Sequence, residues 1–143
     1  MRMRPVDALF ERYGESHRDP ANKAIHWICV PLITWSLLAA LWAATTLAAG
    51  ALIVVALGFY AWMSPALAVG MLAVTALMVA SFPLLGAWLL PAAAAVFVAA
   101  WIGQFIGHHV EGRRPSFLED VKFLLVGPAW LLASVYRRLR IGY

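Results

Sequence analysis

AIHWICVPLITWSLLAALWAATTLAA, residues 24–49, opens a run that meets no Asp, Glu, Lys or Arg until Glu111. A soluble domain sets polar residues on its outer face at about every helical turn. Residues 24–110 therefore cannot be the surface of one. All eleven Lys and Arg and all seven Asp and Glu fall in the flanks, 1–23 and 111–143. The chain is 64% hydrophobic, well above the roughly 45–50% of soluble domains. These features predict an all-α, polytopic membrane helical bundle. It reads as a single integral membrane domain, residues 1–143, with 24–110 as the membrane core.

A crossing needs about 20 apolar residues, so the core holds four spans. Breaks are expected at Gly50, at Ser64-Pro65 and between Gly86 and Pro91, giving spans near 25–47, 51–63, 65–85 and 91–108. The second is short. It reads either as a tilted crossing or as half of a re-entrant pair, which would leave two true spans. The number is even in both cases, so the two flanks share one side. Both flanks are basic, from Arg2, Arg4, Arg12, Arg18 and Lys23 to Arg113, Arg114, Lys122, Arg137, Arg138 and Arg140. Short basic flanks stay in the cytoplasm, so both termini are expected there. The net charge of +4 then belongs to membrane flanks, and no nucleic acid is needed to explain it. The first 23 residues mix both signs of charge without an apolar core, and no cleavable leader is expected. Abundant Ala, Leu and Trp fit a bacterial inner membrane.

Outside the core, Val6, Leu9, Phe10 and Tyr13 recur at helical spacing and predict an amphipathic helix over 5–18. In the tail, Phe117 to Leu139, two apolar runs are parted by Gly127-Pro128, which predicts a shallow or interfacial helical hairpin. The single Cys29 excludes an intramolecular disulfide and reads as a small apolar residue.

The chemistry gathers at the borders of the core. His17 and His26 stand at its entrance, His108 and His109 at its exit. Asp19-Pro20 is a helix start, with Asp as N-cap and Pro first in the helix. On that helix Asn22 and His26 share a face, so the Asn22 amide could orient the imidazole. At the exit, Gln104, His108 and Glu111 lie on one stripe, while His109 points about 100° away. Gly103 and Gly107 permit close approach of a neighbouring helix, for which the first span is the candidate. An even span number then sets His17, His26, His108 and Glu111 on one membrane face. Imidazoles with a carboxylate or open positions suit non-haem Fe(II) or zinc. The alternative is that each histidine is simply interfacial.

Tyr13-x3-His17-x4-Asn22-x3-His26 followed by Pro31-Leu32 resembles the first motif of the Mpo1-like family of small membrane proteins. Trp101-x2-Gln104-Phe105-Ile106-Gly107-His108-x2-Glu111-Gly112-Arg113-Arg114-Pro115 resembles its second, and Gly127-Pro128 a third feature. The resemblance covers nearly the whole chain. It implies an Fe(II)-dependent dioxygenase that uses O₂ to shorten 2-hydroxy fatty acids by one carbon. It further implies His17, His26 and His108 as iron ligands, with Glu111 as a fourth ligand or as an acceptor supporting them. Asn22 and Gln104 match the remaining polar motif positions, whereas His109, a further candidate ligand, matches none. Ser116-Phe117 departs from the family's usual Ala-Leu after the proline. Arg113 or Arg114 could hold a substrate carboxylate, against the reading that both are solvated flank charges. The competing functions are a zinc or iron lipid hydrolase, a haem protein with His26 and His108 as axial ligands, and a non-catalytic lipid-binding scaffold.

Overall fold

The computed structural model describes residues 4–143, and among these there is no strand. Six helices follow in order: α1 (Pro5–Gly14), α2 (Pro20–Ala44), α3 (Thr46–Met63), α4 (Pro65–Ser81), α5 (Leu89–Glu111) and α6 (Phe123–Arg138). Short 3₁₀ turns at Phe82–Leu84 and Gly86–Trp88 join α4 to α5, and another at Ser116–Leu118 precedes α6. Four segments are long and apolar enough to cross a membrane: Pro20–Ala44, Thr46–Met63, Pro65–Leu84 and Gly86–Glu111. Exposed Leu47, Val54, Leu77 and Val98 on these helices suit a lipid surface, as expected where large apolar side chains face outward from helices of spanning length.

Hydroxyl and carboxylate caps decide where the chain turns. Asp19 accepts hydrogen bonds from the Ala21 and Asn22 backbone N–H groups at 2.8 and 3.2 Å, with Pro20 first in α2. Thr45 is extended between α2 and α3, and its hydroxyl accepts from the Ala48 N–H. Ser64 does the same for α4, accepting from the Leu67 N–H with Pro65 behind it. Gly112 closes α5 at φ +70°, a left-handed conformation that glycine enters without the Cβ clash.

Two expectations are corrected. The break between the first two spans is at Thr45, not Gly50, so the second span is 46–63 and long enough to cross without a re-entrant turn. Threonine offers a cap, whereas a glycine inside a helix costs only about 1 kcal/mol. The tail is not a hairpin: α6 runs unbroken through Gly127-Pro128. Pro128 lies in the second turn, where it removes one backbone bond. Gly127 is there for close approach, because a Cβ on it would stand 2.8 Å from the Tyr13 hydroxyl. The remaining spans shift by a few residues, to begin at Pro20 and Leu89 and to end at Ala44 and Glu111.

Helices α2 and α5 form the closest pair. A Cβ on Gly103 would lie 2.6 Å from the Cys29 sulfur, and one on Gly107 would collide with the Asn22 side-chain oxygen. This contact, with Ile33 and Ala100 buried beside it, sets the start of α2 level with the end of α5. On the other side, α1 and α6 close over α3 and α4 through Phe10, Tyr13, Tyr60, Met63, Leu67 and Phe123. The α1 stripe of Val6, Phe10 and Tyr13 is buried as the spacing predicts.

Candidate metal centre

His17 lies in the turn after α1, its N–H bonded to the Gly14 carbonyl and its ring stacked on Tyr13 at 4.2 Å. Its Nδ1 meets the Tyr13 carbonyl oxygen at 2.6 Å. One helix away, His26 Nδ1 meets the Asn22 carbonyl oxygen at 2.9 Å. A carbonyl can only accept, so both Nδ1 atoms carry the proton and both Nε2 atoms carry lone pairs. Those two lone pairs face each other at 2.7 Å. Uncompensated, that is a repulsive contact inside a buried site. A shared proton does not relieve it at neutral pH, because burial pushes the His17 pKa down to about 4.

His108 closes the group from α5, its ring 5.1 Å from His17 and 4.9 Å from His26. One ring nitrogen from each of the three lies within 4.8 Å of the others, and all three residues are buried. Its Nδ1 is buried without a hydrogen-bond partner. Nitrogen ligands about 2.0–2.1 Å from a transition metal are spaced about 3–3.5 Å from one another. The three imidazoles need shift only by tenths of an ångström to a little over one ångström to meet that spacing. Opposed lone pairs and an orphaned nitrogen are what a cation would satisfy, and the donor set fits a divalent transition metal.

Glu111 is near the centre but outside the three-nitrogen group. One carboxylate oxygen accepts from the Arg18 N–H at 2.8 Å; the other accepts from the Asp19 N–H at 2.8 Å and the Asn22 amide at 3.1 Å. The carboxylate thus ties the end of α5 to the turn that carries His17. Asn22, wholly buried, donates also to the Ser16 carbonyl at 3.0 Å. It supports His26 through its backbone carbonyl, while its side chain braces the turn beside His17. That division of labour corrects the expectation of a side-chain contact with His26.

The centre opens on a narrow cleft of about 40 Å³ lined also by Trp101, Gln104, Pro115 and Phe117. Gln104 Oε1 and Trp101 Nε1 are buried without partners, one an acceptor and the other a donor. His109 is exposed on the far side of α5, and Arg113 and Arg114 are exposed as well. These three border an outer groove and do not line the cleft.

Spacing could not identify Ser16 and Ser116, whose hydroxyls meet at 2.6 Å across a sequence separation no local pattern registers. Trp101 stands in the sequence three residues before Gln104 at the head of the second motif, but spacing alone gives its indole no role.

Residues 3–139 match the model of a protein family described as 2-hydroxy-palmitic acid dioxygenase Mpo1-like. The chain belongs to the Mpo1-like family. No curated protein and no solved structure matches it. His17, Asn22, His26, Gln104, His108 and Glu111, the residues singled out in the sequence, all converge on this one end of the α2–α5 pair.

Proposed function

We propose that this Mpo1-like protein is an Fe(II)-dependent membrane dioxygenase that cleaves the C1–C2 bond of 2-hydroxy fatty acids. The opposed Nε2 lone pairs of His17 and His26, with the orphaned His108 nitrogen beside them, carry the reading. His17, His26 and His108 would hold the iron, with Glu111 as the residue that positions the His17 turn. Bound there, Fe(II) would supply O₂ activation and a Lewis-acid seat for the hydroxy acid. The overall balance is R–CHOH–COOH + O₂ → R–COOH + CO₂ + H₂O.

The protein's own part is binding and orientation. Three neutral imidazoles add no negative charge, so an anionic 2-hydroxy acid is favoured at the centre. Trp101 Nε1–H is free to donate to its carboxylate, and Gln104 Oε1 to accept from its hydroxyl. Leaving both unpaired would cost about 1–3 kcal/mol each, which argues against a scaffold in which nothing polar enters. Pro115, Ser116 and Phe117 add a wall to the cleft. A bis-histidine haem does not suit the site, because a macrocycle would have to pass between rings 4.9 Å apart with the His17 ring packed against both. Zinc in the same imidazoles would support hydrolysis instead. We place the centre on the cytoplasmic side of a bacterial inner membrane, with basic flanks as the reason.

The test is anaerobic purification in detergent, Fe(II) loading and mass spectrometry of a 2-hydroxy fatty acid incubated with protein and O₂. A product one carbon shorter, absent from His26→Ala and His108→Ala, is expected. Stoichiometric iron with no shortened product would refute the dioxygenase and leave the metal centre; zinc-dependent ester or amide hydrolysis would favour the hydrolase.

A further inference from the structure

The cleft at the imidazoles ends inward on Ile33, Thr34 and Leu124. The same three side chains line a second, larger cavity of about 320 Å³ bounded by α2, α3, α4 and the start of α6. Its wall is apolar in effect. The Thr34 hydroxyl donates to the Val30 carbonyl and the Tyr60 hydroxyl to the Leu125 carbonyl, both at 2.9 Å. The Lys122 amine is paired with Asp120 at 2.7 Å. Apart from the Thr75 hydroxyl the lining offers little to a polar ligand, and the volume is at the lower end of small-molecule sites.

We propose that this cavity binds the acyl chain of the substrate whose polar head sits at the three imidazoles, with Ile33, Thr34 and Leu124 as the gate between head and tail. The assignment rests on the dioxygenase reading for the head, and on continuity, length and access for the tail. Continuity is the shared wall. For length, His26 and Leu38 stand twelve residues apart on α2, about 18 Å at 1.5 Å per residue. One leaflet of a bilayer, half of an about 30 Å core, is about 15 Å deep. A full-length membrane acyl chain therefore fits from the centre to the far end, where Leu38, Leu52, Ile53 and Thr75 stop it. For access, Leu37 and Leu52 line the cavity and are also partly exposed to the bilayer side. A chain can enter sideways from the leaflet without its head leaving the interface.

A neighbouring crevice between Pro31, Val74, Met78 and Pro128 touches the cleft only at Thr34 and Pro128 and is about half as large as the cavity, at about 170 Å³. It is the competing location for the tail. Thr75 and Ala56 distinguish the two, since both line the larger cavity and neither lines the crevice. Thr75 is ten residues into α4 from its site end, and Ala56 is seven residues from the site end of α3. A ring at Thr75 thus fills the far end, and a ring at Ala56 fills the middle.

The experiment measures binding to metal-free, full-length protein in detergent: displacement of a fluorescent fatty acid by 2-hydroxy acids of graded chain length. Each methylene kept out of an apolar cavity costs about fourfold in affinity. Thr75→Phe should weaken the longest acids by roughly tenfold and leave short ones unchanged. Ala56→Phe should move the cut-off to shorter chains still. Val74→Phe, in the crevice, should change neither. Circular dichroism and gel filtration confirm that each variant folds, and two independent positions guard against the loss of one. Equal weakening at every length, or no change in either variant, overturns the proposal. A length cut-off that appears only in Val74→Phe moves the tail to the crevice and overturns it too. The two readings fail separately: a cut-off in the metal-free protein without shortened product from the iron-loaded one sinks the dioxygenase and keeps the cavity. Shortened product with no cut-off does the reverse.

Discussion

Replacing Glu111 by Ala tests whether this carboxylate positions the centre or belongs to it. Three donors end on it: the N–H groups of Arg18 and Asp19 and the Asn22 amide. A hydrogen bond to a charged group contributes about 1.5–3 kcal/mol. Arg18 is exposed and Asp19 half-buried, so water replaces the carboxylate for those two at little cost. Asn22 is sealed, and its amide keeps only the Ser16 carbonyl. The net loss is therefore about 2–3 kcal/mol rather than the sum of three bonds. It falls on the turn that carries His17, one residue before Arg18. Groups that hold a metal ligand in place typically affect metal affinity by about 10–100-fold. Chelator competition for Zn(II) or Fe(II) on the detergent-solubilised protein should show a loss in that range, together with a lower Tm. Glu111→Gln, which keeps one accepting oxygen, should recover part of it. Unchanged affinity in Glu111→Ala would refute the positioning role. A loss as large as that of His26→Ala would refute it in the other direction, by making Glu111 a ligand.

Further expectations follow from the same contacts. Gly107→Ala forces a methyl into the buried Asn22 side chain, and should destabilise by about 1–3 kcal/mol and weaken metal binding; Gly103→Ala, which meets the Cys29 sulfur at 2.6 Å, should cost stability with less effect on metal, as chemical unfolding and chelator competition will show. The His17 imidazole is held neutral, its pKa lowered by burial from 6.5 to about 4. Below about pH 6.5 the unfolded chain takes up a proton that the folded chain refuses, so the metal-free protein loses stability as pH falls from about 6.5 to about 4 and gains none above. The share from His17 is about 3 kcal/mol, and His17→Asn should flatten that part of the melting profile. Tyr136→Phe removes the 2.9 Å bond to the Ala66 carbonyl that pins α6 over α4, and should lower stability by about 1 kcal/mol with metal affinity unchanged.

Charge patterning alone pointed to a membrane bundle with an even number of spans whose flanks return to one end, and four helices are long and apolar enough to cross. A bilayer tolerates no charge in the spans and demands a fixed length, so composition and spacing carry that information locally. The α2–α5 contact was legible too, because glycines four apart on an apolar helix have few other uses. The error at Gly50 has a local cause: a glycine was weighted over a threonine cap. Gly127-Pro128 was misread because its glycine serves Tyr13, more than a hundred residues away in sequence. At the centre, the sequence supplied the histidines and the face they share. It could not supply the turn at Asp19 that brings His17 Nε2 to 2.7 Å from His26 Nε2. That turn depends on where the end of α5 places the Glu111 carboxylate against the Arg18 and Asp19 N–H groups. Trp101, Ser116 and the cavity beyond Leu124 become part of the site only through packing of α5, α6 and α2. Such contacts join residues with no periodic relation, and only the tertiary structure decides them.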